Sequence, residues 1–292
     1  MRPRPSRHVL LAALLAAPII VHAGPAHGQV ADALQALNLR EVGPAVAGGR
    51  ISDIEVDPRD PARWYVAVGS GGVWKTENAG TTWTPVFDEQ PSYSIGDVAL
   101  DPTNPDVVWV GTGENVSGRH VAWGSGVYRS RDGGATWESM GLPRSEHIGK
   151  ILVHPENGDV VLVAAEGPLW SSGGERGVYR TTDGGASWEA VLTVDEDTGA
   201  TDLEFDPSDP DVVYAATFQR RRHVWGYMAG GPGSGIWKST DAGASWREVS
   251  RGLPGGDMGK IGLAVTPADP RLVYATIEAS GDERGFYRSM DR

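Results

Sequence analysis

Three glutamates stand where a carboxyl group could act on a substrate. Glu114, Glu166 and Glu278 each follow a short run of β-branched or aromatic residues that is typical of a strand. Hydrolysis of a glycosidic bond normally needs two carboxyl groups, one on each side of the bond. Two of these acids facing each other would therefore indicate a glycoside hydrolase. Acids at strand ends are also commonly solvated rim residues, so that alternative stays open for all three candidates.

A second group of reactive side chains lies in four irregular loops at residues 114–125, 167–176, 219–235 and 279–284. Arginine can clamp a carboxylate, and aromatic side chains can stack on sugar rings or on peptide side chains. Loops of variable length on a rigid scaffold often carry binding residues. The candidate ligand-binding residues are Arg119, His120, Trp123, Trp170, Arg220, Arg221, Arg222, His223, Trp225 and Tyr227. The alternative is that these side chains pack against neighbouring loops or against another domain.

Other kinds of chemistry have less support in the sequence. The chain contains no cysteine, and its later histidines lie in different turns without the paired spacing of metal ligands. No phosphate-binding loop and no nucleophile elbow occurs. We therefore expect no metal site and no cofactor.

A recurring octet with the pattern S/T-x-D/N-x-G-x-T/S-W offers a further set of carboxylates. In its first copy Asn78 replaces Asp, and an amide keeps the hydrogen-bonding oxygen but cannot act as a base. One carboxylate per octet also falls far short of the roughly six to eight oxygens that calcium takes. We therefore predict a structural turn, in which the Asp or Asn accepts backbone N–H groups and glycine supplies a positive φ. The residues given this role are Thr76, Asn78, Gly80, Trp83, Ser130, Asp132, Gly134, Trp137, Thr181, Asp183, Gly185, Trp188, Ser239, Asp241, Gly243, Trp246, Ser289 and Asp291.

The octets divide the chain into repeated units, because their tryptophans are spaced by 54, 51 and 58 residues. Each unit contains an alternating strand, a β-branched strand, a strand such as GVYRS, and a fourth strand opened by the octet tryptophan. Four strands per unit predict an all-β fold, a β-propeller of four-stranded antiparallel blades. A fifth copy of the octet stops at SMDR, so we expect a fragment of a larger propeller or an open arc. The expected blades are approximately residues 41–90, 91–143, 144–196, 197–253 and the incomplete 254–292.

The start of the chain is typical of an exported bacterial protein. A basic head followed by a short apolar run predicts a signal peptide over residues 1–28, with a lead-in segment at 29–40. An uncleaved anchor is the alternative, and we expect no transmembrane span after cleavage. The leader holds three arginines and no acid, which leaves 23 basic and 38 acidic residues, a net charge of −15. Such a charge argues against nucleic-acid partners.

These motifs together resemble a known group of proteins. The octet is the Asp-box, or bacterial neuraminidase repeat, and with VWVGTGEN and GVYRSRDGGATW it resembles the sortilin N-terminal-domain-like propellers of large exported bacterial proteins. More distantly, the chain is similar to xyloglucanase-type propellers. That resemblance implies a catalytic carboxylate in the first blade, just before a Gly-Gly pair, but Gly69 stands at that position here.

We therefore predict an exported binding or scaffold module, periplasmic or extracellular. It would recognise a protein, peptide or carbohydrate ligand through the loops on the face opposite the octets. The alternative is part of a glycoside hydrolase or another carbohydrate-active enzyme whose remaining catalytic residues lie in further blades.

Overall fold

The computed structural model describes residues 49–291. The signal peptide and lead-in segment predicted for residues 1–40 lie outside this part of the chain. Between residues 49 and 291 the structure is almost entirely β, with one short 3-10 helix at Gly281–Glu283. Across the same residues, no helix is both long and apolar enough to cross a membrane.

The strands form five sheets that follow one another along the chain. The first sheet consists of β1 (Ile51–Val56), β2 (Trp64–Val68), β3 (Gly72–Thr76) and β4 (Thr84–Pro85). The second consists of β5 (Ile95–Leu100), β6 (Val108–Thr112), β7 (Val127–Ser130) and β8 (Glu138–Gly141). The third consists of β9 (Ile148–His154), β10 (Asn157–Ala165), β11 (Gly177–Thr181) and β12 (Glu189–Leu192). The fourth consists of β13 (Thr198–Asp206), β14 (Asp209–Arg222), β15 (Tyr227–Ala229), β16 (Gly235–Ser239) and β17 (Arg247–Val249), and the fifth of β18 (Met258–Val265), β19 (Val273–Ala279) and β20 (Gly285–Ser289).

Each sheet is an antiparallel meander whose strands neighbour one another in chain order, apart from β15, which pairs only with β14. The first strand of each sheet contacts the first strand of the next, which places β1, β5, β9, β13 and β18 along a common axis. Sheets stacked in this way about an axis are the blades of a propeller. The all-β propeller predicted from the repeats is therefore confirmed.

Apolar cores lie between consecutive blades. Tyr65 and Val73 of the first blade pack with Val98 and Val108 of the second, and all four are buried. Similar buried clusters join the second blade to the third, the third to the fourth, and the fourth to the fifth. A single blade cannot bury its apolar face alone, so the stack of blades is the stable unit.

The octet turn is held by hydrogen bonds within its own residues. In the second copy, Asp132 Oδ1 accepts from Ser130 Oγ and from the Thr136 N–H, both at 2.8 Å. Hydrogen bonds from the Thr136 and Ser130 side chains and backbone lower the pKa of Asp132 to about 2. Gly134 adopts a φ of +92°, which a residue with a side chain rarely reaches. Trp137 then donates its indole N–H to the Val86 carbonyl of the preceding blade at 2.6 Å.

The other octets repeat this geometry with instructive differences. Asn78 accepts from the Thr82 N–H at 2.8 Å, so an amide supports the same turn without a charge. Trp188 donates to the Met140 carbonyl of the blade before it at 2.6 Å, whereas Trp246 donates to Gly243 within its own octet at 3.1 Å. The octet is therefore a hairpin turn that also fastens one blade to the previous one in two of its copies.

Candidate functional site

The loop face is defined here as the face where the second strand of each blade ends and the third begins. It carries the loops at residues 114–125 and 167–176, and the extension of the fourth blade. That extension differs from the irregular loop expected at 219–235. Strand β14 continues to Arg222 and pairs with β15, because His223 and Gly226 close a turn with backbone hydrogen bonds of 2.8 and 3.3 Å.

A bridging segment, residues 114–117, ties the blades together on this face. Its four consecutive backbone carbonyls each accept a hydrogen bond from a side chain of another blade. The donors are His147 Nδ1 at 2.9 Å to Glu114, Lys260 Nζ at 2.7 Å to Asn115, Arg220 Nη1 at 3.3 Å to Val116 and Arg222 Nε at 3.0 Å to Ser117. The GEN motif of the second blade thus begins a segment contacted from the third, fourth and fifth blades.

His147 is the donor whose protonation state the structure fixes. A carbonyl oxygen can only accept, so Nδ1 must carry the ring proton. Burial lowers the pKa of His147 to about 3, and the nearby Arg220 and Arg176 charges act in the same direction. This histidine is therefore neutral at physiological pH and serves as a hydrogen-bond donor to the bridging segment.

Glu114 lies buried at the junction of the first and second blades. Its Oε1 accepts from Arg50 Nε at 2.5 Å, and the Arg50 guanidinium also contacts His120 Nε2 at 3.2 and 3.3 Å. A Cβ added at Gly69 would stand 2.7 Å from the Glu114 carboxyl carbon. The position that the xyloglucanase resemblance assigns to a catalytic carboxylate is therefore filled by the Glu114 side chain from the neighbouring blade.

Glu166 forms a fully buried ion pair. Its Oε2 lies 2.6 Å from Arg220 Nη1, and both side chains are 1% exposed. Arg176 donates to the Glu166 carbonyl at 2.7 Å, and burial together with the Arg220 charge lowers the pKa of Arg176 to about 10. Glu166 Oε1 has no hydrogen-bond partner among residues 49–291. This carboxylate is paired with Arg220 and does not reach the surface of the loop face.

Glu278 differs from the other two candidate acids. It is exposed, and its Oε2 accepts from the Lys260 N–H at 3.1 Å. The three acids are therefore held by three different partners: a half-exposed arginine, a buried arginine and a backbone amide.

The three tryptophan candidates are exposed on the loop face. Trp123 is 68% exposed, Trp170 41% and Trp225 84%, and Tyr93, which the sequence analysis did not single out, is 63% exposed. Large aromatic side chains exposed on one face make that face a candidate interaction surface. Trp225 is stacked on His223, with ring centroids 4.7 Å apart and planes 11° from parallel.

The arginine candidates fall into two groups. Arg220 and Arg221 are engaged by acids, since Arg221 Nη1 lies 3.7 Å from Asp197 Oδ1. Arg222 and Arg119 have no acidic partner within ion-pair distance among the described residues. Arg222 lies over the Tyr227 ring at 4.4 Å and donates its backbone N–H to Leu169, next to Trp170. Arg222 thus joins the bridging segment, the loop of the third blade and the hairpin of the fourth.

A set of charged residues on the first strands was missed by the sequence analysis. Asp53, Asp97 and Lys150 occupy the third position of β1, β5 and β9, and Asp202 and Lys260 lie in the first strands of the fourth and fifth blades. Three of these aspartates accept a backbone N–H from the first strand of the next blade, at Val98, Ile151 and Leu263, over 3.4, 2.8 and 2.7 Å. The visible signal was a charged residue at the same place in strands such as IGDVAL and IGKILV.

These residues line a cavity of about 1030 Å³ at the axis. Lys150 Nζ lies 3.1 Å from Asp97 Oδ1 and 3.8 Å from Asp53 Oδ2. Burial raises the pKa of Glu55 and of Glu204 to about 7. The Asp53 charge adds to this effect at Glu55, and the Asp202 charge adds to it at Glu204. Across residues 49–291, no group of three or more His, Asp or Glu side chains is arranged to hold a metal ion.

Comparisons with known proteins agree with this fold. A protein-family model described as Sortilin-Vps10, sortilin, neurotensin receptor 3, matches residues 125–255. Xyloglucanase Xgh74A of Acetivibrio thermocellus is 24% identical over 273 residues, covering 82% of this chain and 29% of its own length. A xyloglucanase of Paenibacillus sp. is 26% identical over 280 residues, covering 82% of this chain and 25% of its own length. The chain thus spans less than a third of the curated relatives that it matches.

A solved structure supports the same propeller fold. The GH74 xyloglucanase from Xanthomonas campestris superposes with a TM-score of 0.58 at 21% identity, over 82% of this chain and 37% of that one. The resemblance predicted from the octets and the GTGEN motif is confirmed. The chain is a β-propeller similar to the sortilin type and, more distantly, to the propellers of xyloglucanases.

Proposed function

We propose that this chain binds a carbohydrate polymer through its loop face. The observation that carries the proposal is the group of exposed aromatic side chains Tyr93, Trp123, Trp170 and Trp225. A flat aromatic ring presents an apolar surface on which the C–H face of a sugar can pack, while polar neighbours bind its hydroxyl groups. The names of the curated relatives, both xyloglucanases, support a carbohydrate as the ligand class.

The state of two of the three candidate acids supports binding over hydrolysis. Glu114 is buried beneath Arg50, and Glu166 is paired with Arg220 where no substrate atom can approach it. A glycoside hydrolase requires two accessible carboxyl groups across the scissile bond. The alternative function, part of a glycoside hydrolase, would need a pair of carboxyl groups other than Glu114 and Glu166.

Export is the second part of the proposal. A signal peptide at residues 1–28 would direct the protein to the periplasm or the cell exterior, where polysaccharides are present. Amino-terminal sequencing of the protein recovered from the expressing cells tests this point. A mature chain that still begins at residue 1 in the cytoplasmic fraction would overturn it.

Affinity electrophoresis through gels containing xyloglucan and other plant or bacterial polysaccharides tests the binding. The intact chain should be retarded by at least one polymer, and Trp123→Ala or Trp225→Ala should weaken that retardation about fivefold, as expected for an interface aromatic worth about 1 kcal/mol. Trp83→Ala, at a partly exposed tryptophan on the octet face, is the matched control. Release of reducing sugar that is lost in Glu114→Gln would instead support hydrolysis.

A further inference from the structure

The charge of the loop face indicates which class of carbohydrate it binds. This inference rests on the proposed binding function. The loop at 114–125 and the hairpin region at 219–235 carry Trp123 and Trp225, the two most exposed tryptophans. These two segments contain four arginines, two histidines and a single acid, Glu114. The whole chain, in contrast, has a net charge of −12.

The single acid does not neutralise this local charge. Glu114 is buried and already paired with Arg50, whose own side chain is 47% exposed. Arg220 and Arg221 are balanced by Glu166 and Asp197, which lie outside the two segments. Two arginines are left over, Arg119 and Arg222, without an acidic partner among residues 49–291.

The two arginines without an acidic partner lie within four residues of the exposed tryptophans along the chain. Arg119 is exposed and lies four residues before Trp123. Two serines fix the backbone of that loop. Ser94 Oγ donates to the Ala122 carbonyl at 2.8 Å, and Ser92 Oγ donates to the Trp123 carbonyl at 3.4 Å. Arg222 is held by Ser117 at the base of the hairpin whose turn carries Trp225. Each tryptophan therefore has, within four residues along the chain, a guanidinium that no acid of the described residues neutralises.

We infer that the loop face prefers an anionic polysaccharide, one whose sugars carry carboxylate or sulfate groups. A sugar ring would stack on Trp123 or Trp225 while its anionic substituent accepts from Arg119 or Arg222. The planar guanidinium offers paired donors that match the two oxygens of a carboxylate or of a sulfate. A neutral glucan would use the same aromatic rings but would leave the two guanidinium groups without an anionic partner.

The loop of the third blade does not share this character. Trp170 lies near Ser172 and Asp197, and the Gly173 N–H donates to the carbonyl of Glu196 at 2.7 Å. The adjoining residues Asp195, Glu196 and Asp197 are acidic. The preference for anions is therefore assigned to the loops of the second and fourth blades and not to the whole face.

The test compares the intact chain on polygalacturonate, on chondroitin sulfate and on neutral xyloglucan by affinity electrophoresis at low and high salt. We expect tighter binding to at least one anionic polymer than to xyloglucan, and weaker binding as sodium chloride is raised from about 50 to about 500 mM, because salt screens exposed charges. Arg119→Ala should weaken binding of the anionic polymer about five- to tenfold and leave xyloglucan binding unchanged.

Arg131→Ala is the matched control, because Arg131 is an exposed arginine in the octet of the same blade, on the opposite face. An equal loss in Arg131→Ala would overturn the inference, since binding would then follow net charge alone. Equal binding of xyloglucan and both anionic polymers would overturn it while leaving the proposed function intact. Binding of no polysaccharide at all would overturn both. Retention by chondroitin sulfate alone would support the inference with sulfate as the recognised group, and retention by polygalacturonate alone would support it with carboxylate.

Discussion

The buried pair of Glu166 and Arg220 offers a direct test of what holds the loop face together. Replacing Arg220 with methionine keeps the volume and removes the charge. The Glu166 carboxylate would then be left in a site where it is 1% exposed and where the ion-pair partner that it has among residues 49–291, 2.6 Å away, is gone. The Arg220→Met variant also loses the hydrogen bonds from Arg220 to Val116 and Ser117 of the bridging segment.

The expected cost follows from the burial of the pair. Removing one partner of a buried ion pair costs about 3–5 kcal/mol, because the remaining charge has neither water nor a counter-ion. For a folded body of this size, each kcal/mol lowers the melting temperature by about 2–4 °C, so Arg220→Met should melt roughly 6–20 °C lower. The double variant Arg220→Met with Glu166→Leu removes both charges and should recover most of this loss.

Thermal unfolding followed by circular dichroism measures these differences, with urea titration as a second probe. Arg221→Met is the matched control, because Arg221 is 30% exposed and lies 3.7 Å from Asp197, so its pair should be worth about 1 kcal/mol or less. A double variant as unstable as Arg220→Met alone would refute the reasoning. In that case the uncompensated charge would not be the cause, and the lost bonds to the bridging segment would account for the effect.

Three further predictions concern the axis, the junction of the first two blades and the octet. Folding raises the pKa of Glu55 and Glu204 from the ordinary 4.5 to about 7 and so favours their protonated forms. The urea midpoint should therefore fall as the pH rises from about 4.5 to about 7, and substituting both residues with glutamine should flatten that profile. Gly69→Ala should cost about 1–3 kcal/mol in urea unfolding, because the new methyl group overlaps the Glu114 carboxylate, and a Glu114→Ala background should reduce this cost. Gly134→Ala should cost about 1–2 kcal/mol, because its φ of +92° places an alanine methyl against the backbone; an unchanged melting temperature would contradict this account of the octet.

The repeats made the fold predictable, because their information is local. The octet pattern fixes a turn through side chains only two to four residues apart, such as Ser130, Asp132 and Thr136. Alternation along strands such as IGDVAL then indicates which faces are apolar, and the period of the tryptophans counts the blades. None of these steps requires knowledge of a contact between distant residues.

The candidate site was less accessible to this reasoning, because its partners are far apart in sequence. The pairing of Glu114 with Arg50 joins residues 64 positions apart, and the bonds from Arg220 and Arg222 to the bridging segment span 103 to 105 positions. Their adjacency in the sequence places Arg220, Arg221 and Arg222 in one set of ligand-binding candidates. Alternation along the extended strand β14 instead sends neighbouring arginines to different partners.

The bridging segment also changes how the propeller should unfold. A repeat protein in which each unit contacts only its neighbours can lose its units one at a time. Here the carbonyls at 114–117 belong to the second blade and are held by side chains of the third, fourth and fifth blades. Opening the fifth blade therefore removes a contact of the second one, which couples the stability of blades that do not touch through their sheets. Native-state hydrogen exchange should accordingly report one shared opening free energy for the first strands of these blades, as for a single cooperative unit.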